Sequence, residues 1–367
     1  LLGEEKLLNA STPNGDVSPM PDGSISGPAA WRSADMMADT SWRYTLNDAE
    51  IRELNDAMRS TMAQGIEIIQ IDSANFPLPT LGNRLRHLRK DVLDGRGFQQ
   101  IRGIPVDGYS TEESARVFFG IGAHLGSLRS QNAEGHVLGH VCDLSHDYKA
   151  NANLRGYRAG GPLKFHTDSV DIVGLMCLRA AKEGGASKIA SVATIHNEML
   201  KRRPDLVQEL YRPVHRDRRG EVPEGKDPWW IMPIFQWYEG RMNSHFSDVY
   251  IRSVEWFPEA PRFTDAQHET FELIQEIAED PAIHLSMEFK EGDIQLVNNH
   301  EILHARADYL DWEDTVPQRY LFRLWICPPN GRALPPSYAE RYGNIEIGDR
   351  GGIVCPETEF KAPLTPI

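Results

Sequence analysis

Cysteine is scarce and scattered in these 367 residues: Cys142, Cys177, Cys327 and Cys355 stand far apart, with no C-x-x-C pair. That spacing argues against a thiolate zinc site and a disulfide framework, and it points to a reducing, cytoplasmic compartment. Long apolar runs are also missing. No stretch approaches the roughly eighteen consecutive apolar residues of a membrane-spanning helix, and the opening LLGEEKLLNA lacks the basic flank and apolar core of a signal peptide. Basic charge is in deficit, with 39 Lys and Arg against 53 Asp and Glu and a net charge of −14. Nucleic acid and anionic membrane are therefore excluded as main partners, although a locally basic pocket for a small anion is not. Neither G-x-G-x-x-G nor G-x-x-x-x-G-K-[ST] occurs, so no dinucleotide or nucleotide loop is expected. No repeat of fixed period is present. His215-Arg216-Asp217 resembles a kinase catalytic loop only superficially. Val222 stands where that loop needs Asn, and the triplet reads as a solvated, charged loop.

What remains is an ordinary globular composition, 40% hydrophobic and 25% charged, in a chain long enough for one large domain or two modest ones. Residues 10–30 are rich in Ser, Pro, Gly and Asp, so residues 1–30 are expected to be a flexible arm. Thr45–Gln64 reads as a helix, with Thr45 and Asp48 as its capping box and Ile51, Leu54, Met58 and Met62 on one face. Ser110 with Glu113 opens a second helix carrying Val117, Phe118, Ile121 and Leu125 inward. Thr264 with Gln267 opens a third, with Phe271, Ile274 and Ile277. Strands are expected over Gly65–Ile71, Gly97–Ile104, Val170–Leu178, Lys188–Val192 and Gln318–Cys327, with Gly184-Gly185 as a break and Glu291-Gly292-Asp293 as a turn. Strands dominate the middle and C-terminal parts without regular βαβ alternation. That pattern fits a mainly β, α+β fold: a sandwich or barrel with flanking helices.

The chemistry is concentrated in three segments. In LKFHTDSV, His166 and Asp168 stand two apart; on a strand, such residues share a face and can converge on a metal. An H-x-D triplet also arises by chance, and His215-Arg216-Asp217 is a second example. Near the C-terminus, QLVNNHEILHARADY supplies His300 and His304, either of which could complete a two-histidine, one-carboxylate facial set. Such a set leaves open positions and suits non-haem Fe(II). In RYLFRLWI, alternation puts Arg319, Leu321, Arg323 and Trp325 on one face. Two guanidiniums on an otherwise apolar strand need anionic partners if buried, or else mark a solvated edge.

In this order and spacing, His166-Thr167-Asp168, GGAS at Gly184–Ser187, NNHEILHARADY at Asn298–Tyr309 and QRYLFR at Gln318–Arg323 resemble the TauD/TfdA family. These are the taurine-dioxygenase-like Fe(II)/2-oxoglutarate oxygenases, and the likeness covers roughly residues 95–330. The resemblance implies a double-stranded β-helix (jelly-roll) core. Residues 31–330 would then form one catalytic domain, and 331–367 a C-terminal extension packed on it. It selects His304 over His300, so that His166, Asp168 and His304 hold Fe(II). It gives Arg319 the distal carboxylate of 2-oxoglutarate, with Ser187, where the family more often has Thr, adding a hydroxyl. It places Arg323 near the primary substrate, and Asn299 behind the ligands as a support. The cofactors implied are Fe(II), 2-oxoglutarate and O₂. An aspartate at 168 disfavours halogenation.

The substrate is less legible. Arg323 favours an anionic or amino-acid-like small molecule, to be hydroxylated, desaturated or cyclised in a biosynthetic tailoring role. Further candidates for its pocket are Gln131, Asn243, Phe246 and Trp229. The residues just before His166 (Gly160, Gly161, Pro162) lack an Asn found near that position in taurine-cleaving members, which puts taurine in doubt. A homo-oligomer is compatible with the sequence. Two other readings use the same residues differently: a cupin-like metal-dependent hydrolase or isomerase, and a jelly-roll binding protein without catalysis.

Overall fold

Alternation in the last strand decides which side of the central sheet packs and which side reacts. In the computed structural model, which describes residues 17–143, 162–223, 225–313, 318–353, 355 and 358–366, the segment folds as the strand Tyr320–Cys327. Tyr320, Phe322, Leu324 and Ile326 turn into the larger hydrophobic core. The helices Asp48–Ala63, Leu81–Asp94 and Thr111–Leu125 contribute to the same core. Arg319, Leu321, Arg323 and Trp325 turn the other way, into a cavity of about 730 Å³.

Two sheets build that cavity. The larger has seven strands, in the order Arg43–Thr45, Phe98–Arg102, Ile294–Asn298, Ile172–Arg179, Tyr320–Cys327 and Ser127–Arg129, with Leu138–Val141 also paired to Tyr320–Cys327. The smaller has four, in the order Leu285–Met287, Ser187–Ser191, Ile302–Arg306 and Leu163–His166. Both supply lining residues, for example Val173 and Leu175 from one and Ser187 and His304 from the other. This is the expected α+β arrangement, a jelly-roll core with helices packed outside. Behind the smaller sheet, the helices Val192–Arg202 and Asp265–Glu279 bury Ile195, Met199, Phe271, Ile274 and Ile277 against Phe165, Ala190 and Leu303. Each large aliphatic side chain so buried contributes roughly 1.5–3 kcal/mol.

Several local expectations hold in detail. Ser110 with Glu113 and Thr264 with Gln267 form the capping boxes of their helices. Others are corrected. The first long helix begins at Asp48, capped by Asn47 with Glu50 rather than by Thr45 with Asp48; Thr45 instead ends a short strand paired to Arg102. Gly65–Ile71 holds a 3₁₀ turn, Ile68–Gln70, in place of a strand. Its isoleucines pack on the helical core, and Arg116 binds the Ile66 carbonyl at 2.7 Å, so a polar side chain fills the role of a ladder partner.

His215-Arg216-Asp217 is no solvated loop. It lies in the strand Pro213–Asp217, paired antiparallel with Trp229–Pro233. Arg216 is fully buried and donates to the carbonyls of Val214 (2.9 Å), Pro233 (3.2 Å) and His245 (2.8 Å) and to that of Met232. Carbonyl dipoles thus take over the role of water around its charge.

Residues 1–16 of the expected arm lie outside the described residues. Residues 17–30 run along the domain, where Ser18 N–H donates to the Tyr211 carbonyl at 2.9 Å and Ile25 N–H to Asn197 Oδ1 at 2.7 Å. The extension beyond residue 330 is anchored from inside. Arg350, 1% exposed, clasps Asp171, also 1% exposed, at 2.6 Å. Tyr338 Oη donates to the Ser244 carbonyl at 2.9 Å.

Candidate active site

The cavity is organised by a pairing between neighbouring strands. His304 on Ile302–Arg306 lies directly opposite His166 on Leu163–His166, and the two rings approach to 4.3 Å between centroids. The Leu163–His166 strand ends at His166, so Asp168 is not brought round by strand alternation. It is held instead by its surroundings. Asn299 Oδ1 accepts the Asp168 N–H at 3.0 Å, Trp325 Nε1 donates to its carboxylate at 3.0 Å, and Arg323 Nη1 stands at 3.4 Å. Thr167, between the two, is pinned by its N–H to the Phe246 carbonyl at 2.8 Å. Among the described residues, His166, Asp168 and His304 form the one cluster with metal-ligand character, with one ligand atom from each lying within 4.8 Å of the others.

Protonation suits a cation. Burial alone would raise Asp168, but Arg323, His304, His166 and the Trp325 hydrogen bond outweigh it and hold the carboxyl at about 2. Burial, reinforced by His166 and opposed by Asp168, pushes His304 down to about 3, so it is neutral and can ligate. His166 Nδ1 sits 2.8 Å from the Lys164 carbonyl. A carbonyl only accepts, so this nitrogen carries the hydrogen and Nε2 keeps its lone pair. One carboxylate and two imidazoles are the donor set of a 2-His-1-carboxylate metal centre, and the residues fit it. His300 belongs elsewhere. Its Nε2 meets Asp171 Oδ1 at 2.9 Å, in the buried pair with Arg350.

Arg319 lines the same cavity and is 4% exposed, and its Nη1 is buried with no hydrogen-bond partner. Its guanidinium stands 5.1 Å from the Tyr309 ring, as does that of Arg306. Ser187 also lines the cavity, its hydroxyl donating to Gln295 Oε1 at 2.9 Å. Arg323 is fixed by Gln131, whose Oε1 accepts from Nε at 2.7 Å.

Four expected substrate residues do not line the cavity. Gln131 lies behind Arg323 and holds it. Asn243 is buried in the strand Arg241–Ser244, its amide donating to the Arg241 carbonyl at 3.3 Å. Phe246 packs in the core of the smaller sheet. Trp229 stands against Phe257 at 5.7 Å. They were expected on loops at the cavity mouth, whereas Trp229 and Asn243 lie in strands and Phe246 and Gln131 are buried. Gly160 and Gly161 lie outside the described residues. Arg306 was missed although its position two after His304 on one strand announced the shared face. Arg219, Trp256 and Arg341 also line the cavity; a loop, the 3₁₀ turn Ser253–Trp256 and the extension bring them in, and no periodicity marks them.

The model of the taurine catabolism dioxygenase TauD, TfdA family matches residues 60–325. The chain is 32% identical over 327 residues to the FR-33289 synthase of Streptomyces rubellomurinus, covering 87% of this chain and 95% of that protein. It is 31% identical over 332 residues to the taurine hydroxylase-like protein SAT17 of Stachybotrys chartarum, covering 84% and 83%. Among solved structures, an asparagine oxygenase in complex with Fe(II), 3-hydroxyasparagine and succinate shares the fold, with a TM-score of 0.61 at 17% identity over 78% of this chain and 93% of that one. The oxygenase OrfP with Fe and alpha-ketoglutaric acid gives 0.59 at 15% over 77% and 93%. The chain therefore belongs to the TauD/TfdA family and is a non-haem Fe(II)/2-oxoglutarate-dependent dioxygenase.

Proposed function

We propose that His166, Asp168 and His304 hold the Fe(II), and that Arg319 receives the distal carboxylate of 2-oxoglutarate. The observation that carries this reading is the meeting of the three ligand groups in one cavity with a buried, unpaired Arg319 Nη1. A buried guanidinium without a partner is costly. A carboxylate meets its planar fork with two parallel hydrogen bonds. Iron held there with 2-oxoglutarate and O₂ would supply the oxidation of a substrate C–H bond, by hydroxylation, desaturation or ring closure, coupled to conversion of 2-oxoglutarate to succinate and CO₂.

This chain's own residues position and shield. Asn299 and Trp325 fix Asp168, the Lys164 carbonyl fixes His166, and Gln131 fixes Arg323 beside Asp168. Val173, Leu175, Leu321 and Phe289 give the cavity an apolar wall. The substrate is a small, anionic or amino-acid-like metabolite modified in a biosynthetic step. Support comes from one relative named as a synthase and from neighbours bound to hydroxyasparagine and hydroxyarginine. Four free cysteines favour a reducing, cytoplasmic setting. Among the described residues, no helix is long and apolar enough to cross a membrane.

The test is succinate release from 2-oxoglutarate under air, with and without Fe(II), over a panel of amino acids and small organic acids. Wild type should require iron, and His166→Ala should lose turnover by a factor of about 10³ or more, the scale of losing a catalytic centre's main electrostatic element. Iron-independent turnover, or full activity in His166→Ala, would return the site to the hydrolase, isomerase or binding readings.

A further inference from the structure

Asp168 stands on backbone that belongs to no strand. One strand ends at His166 and the next begins at Ile172, so residues 167–171 have no ladder to hold them. A carboxylate on such a segment is aimed only as well as the contacts that fix the segment. The domain fixes its first half, through the Thr167 N–H on the Phe246 carbonyl at 2.8 Å and the Asp168 N–H on Asn299 Oδ1 at 3.0 Å.

The second half is gripped from the C-terminal extension. The Gly352 N–H donates to the Ser169 carbonyl at 2.9 Å, and Arg341 Nε donates to Ser169 Oγ at 3.1 Å. Arg350 spans the Asp171 carboxylate, with Nε at 3.1 Å from both oxygens and Nη2 at 2.6 Å from Oδ1. At Gly351, φ 73°, a Cβ would lie 3.2 Å from the Ser169 carbonyl oxygen and from Val170 Cα, so the two backbones run against each other. Asp171 passes the constraint on. Its Oδ1 meets His300 Nε2 at 2.9 Å, and its carbonyl accepts the Asn299 N–H at 2.9 Å. Asn299 is the residue that receives the Asp168 N–H. A second arginine of the extension holds the far side of this turn: Arg332 Nη2 meets Glu301 Oε1 at 2.6 Å, immediately before the strand Ile302–Arg306 that carries His304.

The family match ends at residue 325, so these supports lie outside it. A buried ion pair adds little stability over an apolar pair of the same size; what a forked guanidinium adds is direction. We propose that Arg350 is a positioning residue for the metal centre. Through Asp171 and Asn299 it sets the backbone from which Asp168 reaches the ion, and the extension is thereby part of that centre. The inference rests on the reading of His166, Asp168 and His304 as metal ligands.

The test titrates the metal-free full chain with Mn(II) alone, by calorimetry, and records the electron paramagnetic resonance of the bound ion. Arg350→Met should weaken Mn(II) binding about tenfold or more, the scale of losing an outer partner of a metal ligand, and should alter the spectrum. Arg350→Lys keeps the counter-charge of Asp171 but loses the fork, and its affinity should fall between the two. Tyr338→Phe is the control for anchoring alone. It removes the bond to the Ser244 carbonyl and should lower the urea midpoint while Mn(II) binding stays within about twofold of wild type. An Arg350→Met protein that behaves like this control, less stable but with unchanged Mn(II) affinity and spectrum, overturns the positioning role and leaves the metal ligands standing. If the methionine variant does not fold, a lysine variant that binds Mn(II) as wild type does overturns it equally. His166→Ala is measured alongside. Wild type that binds no Mn(II), or His166→Ala that binds it as tightly as wild type, would instead remove the metal-ligand reading and the positioning role with it.

Discussion

Arg319 shows what a single side chain contributes here. Its guanidinium is buried, has an unpartnered Nη1 and lies over Tyr309, so the proposed role would use its geometry as well as its charge. Arg319→Lys keeps the charge and loses the fork. The KM for 2-oxoglutarate should rise at least about tenfold, the scale of one charge-assisted hydrogen bond, while iron affinity is retained; equal KM values in a steady-state succinate assay would contradict the role. Sequence reading reached Arg319 and Arg323 because strand alternation is strict. Asn243, Phe246 and Trp229 do not line the cavity, because the first and last lie in strands and not on loops at its mouth, and Phe246 packs in the core. Asp168 was found for an incomplete reason. The strand stops before it, and Asn299 and Trp325 do the aiming.

Turns and caps decide the elements. Ser110 and Thr264 announce their helices because the capping box is a contact within four residues. The helix Leu81–Asp94 was passed over although Leu81, Leu85, Leu88 and Val92 are all buried at helical spacing. Its start is held by a distant carboxylate, Glu53, which accepts from the Thr80 and Leu81 N–H groups at 3.0 Å, and no local cap marks it. Gly185 links turn to site. At φ 70° it takes a backbone that other residues adopt with strain, and a Cβ there would lie 3.2 Å from Arg319 Nε and 3.3 Å from Tyr309 Cβ. Gly185→Ala should therefore cost about 1 kcal/mol of stability and weaken 2-oxoglutarate binding. Denaturant midpoints and calorimetry would show both effects, and an alanine variant with unchanged cosubstrate affinity would separate the turn from the site.

For the whole molecule, the contact between Asp171 and Arg350 joins the central sheet to the extension. Burial would raise Asp171, but His300 and Arg350 outweigh it and keep the carboxyl below the usual range. Asp171→Asn leaves a buried guanidinium without its counter-charge. It should cost about 3–5 kcal/mol and expose residues beyond 330 to limited proteolysis; a protease pattern like that of wild type would refute the anchoring role. Acid should act earlier than carboxylate titration. Burial, helped by Arg216 and Arg341, holds His245 well below 6.5, and burial also lowers His300 against the opposing Asp171. The unfolded chain takes up protons that these folded imidazoles refuse. Stability is thus fully present above the unfolded value and declines as pH falls through it. Below about pH 6.5 the slope should approach about 1.4 kcal/mol per pH unit for each such histidine. Urea unfolding of metal-free protein across that range measures it, and a flat profile would exclude the effect.

The direct opposition of His304 and His166 on adjoining strands has a mechanical side. Leu163–His166 is the outermost ladder of its sheet, bordered on its free flank by the Gln275 amide, which bonds Phe165 at 3.1 and 2.8 Å. An ion gripped by both imidazoles, as proposed, would rivet that border strand to its neighbour. Demetallation would then loosen the sheet's rim as well as silence the chemistry, and amide exchange along 163–166 would report the cofactor's departure before any assay of turnover did.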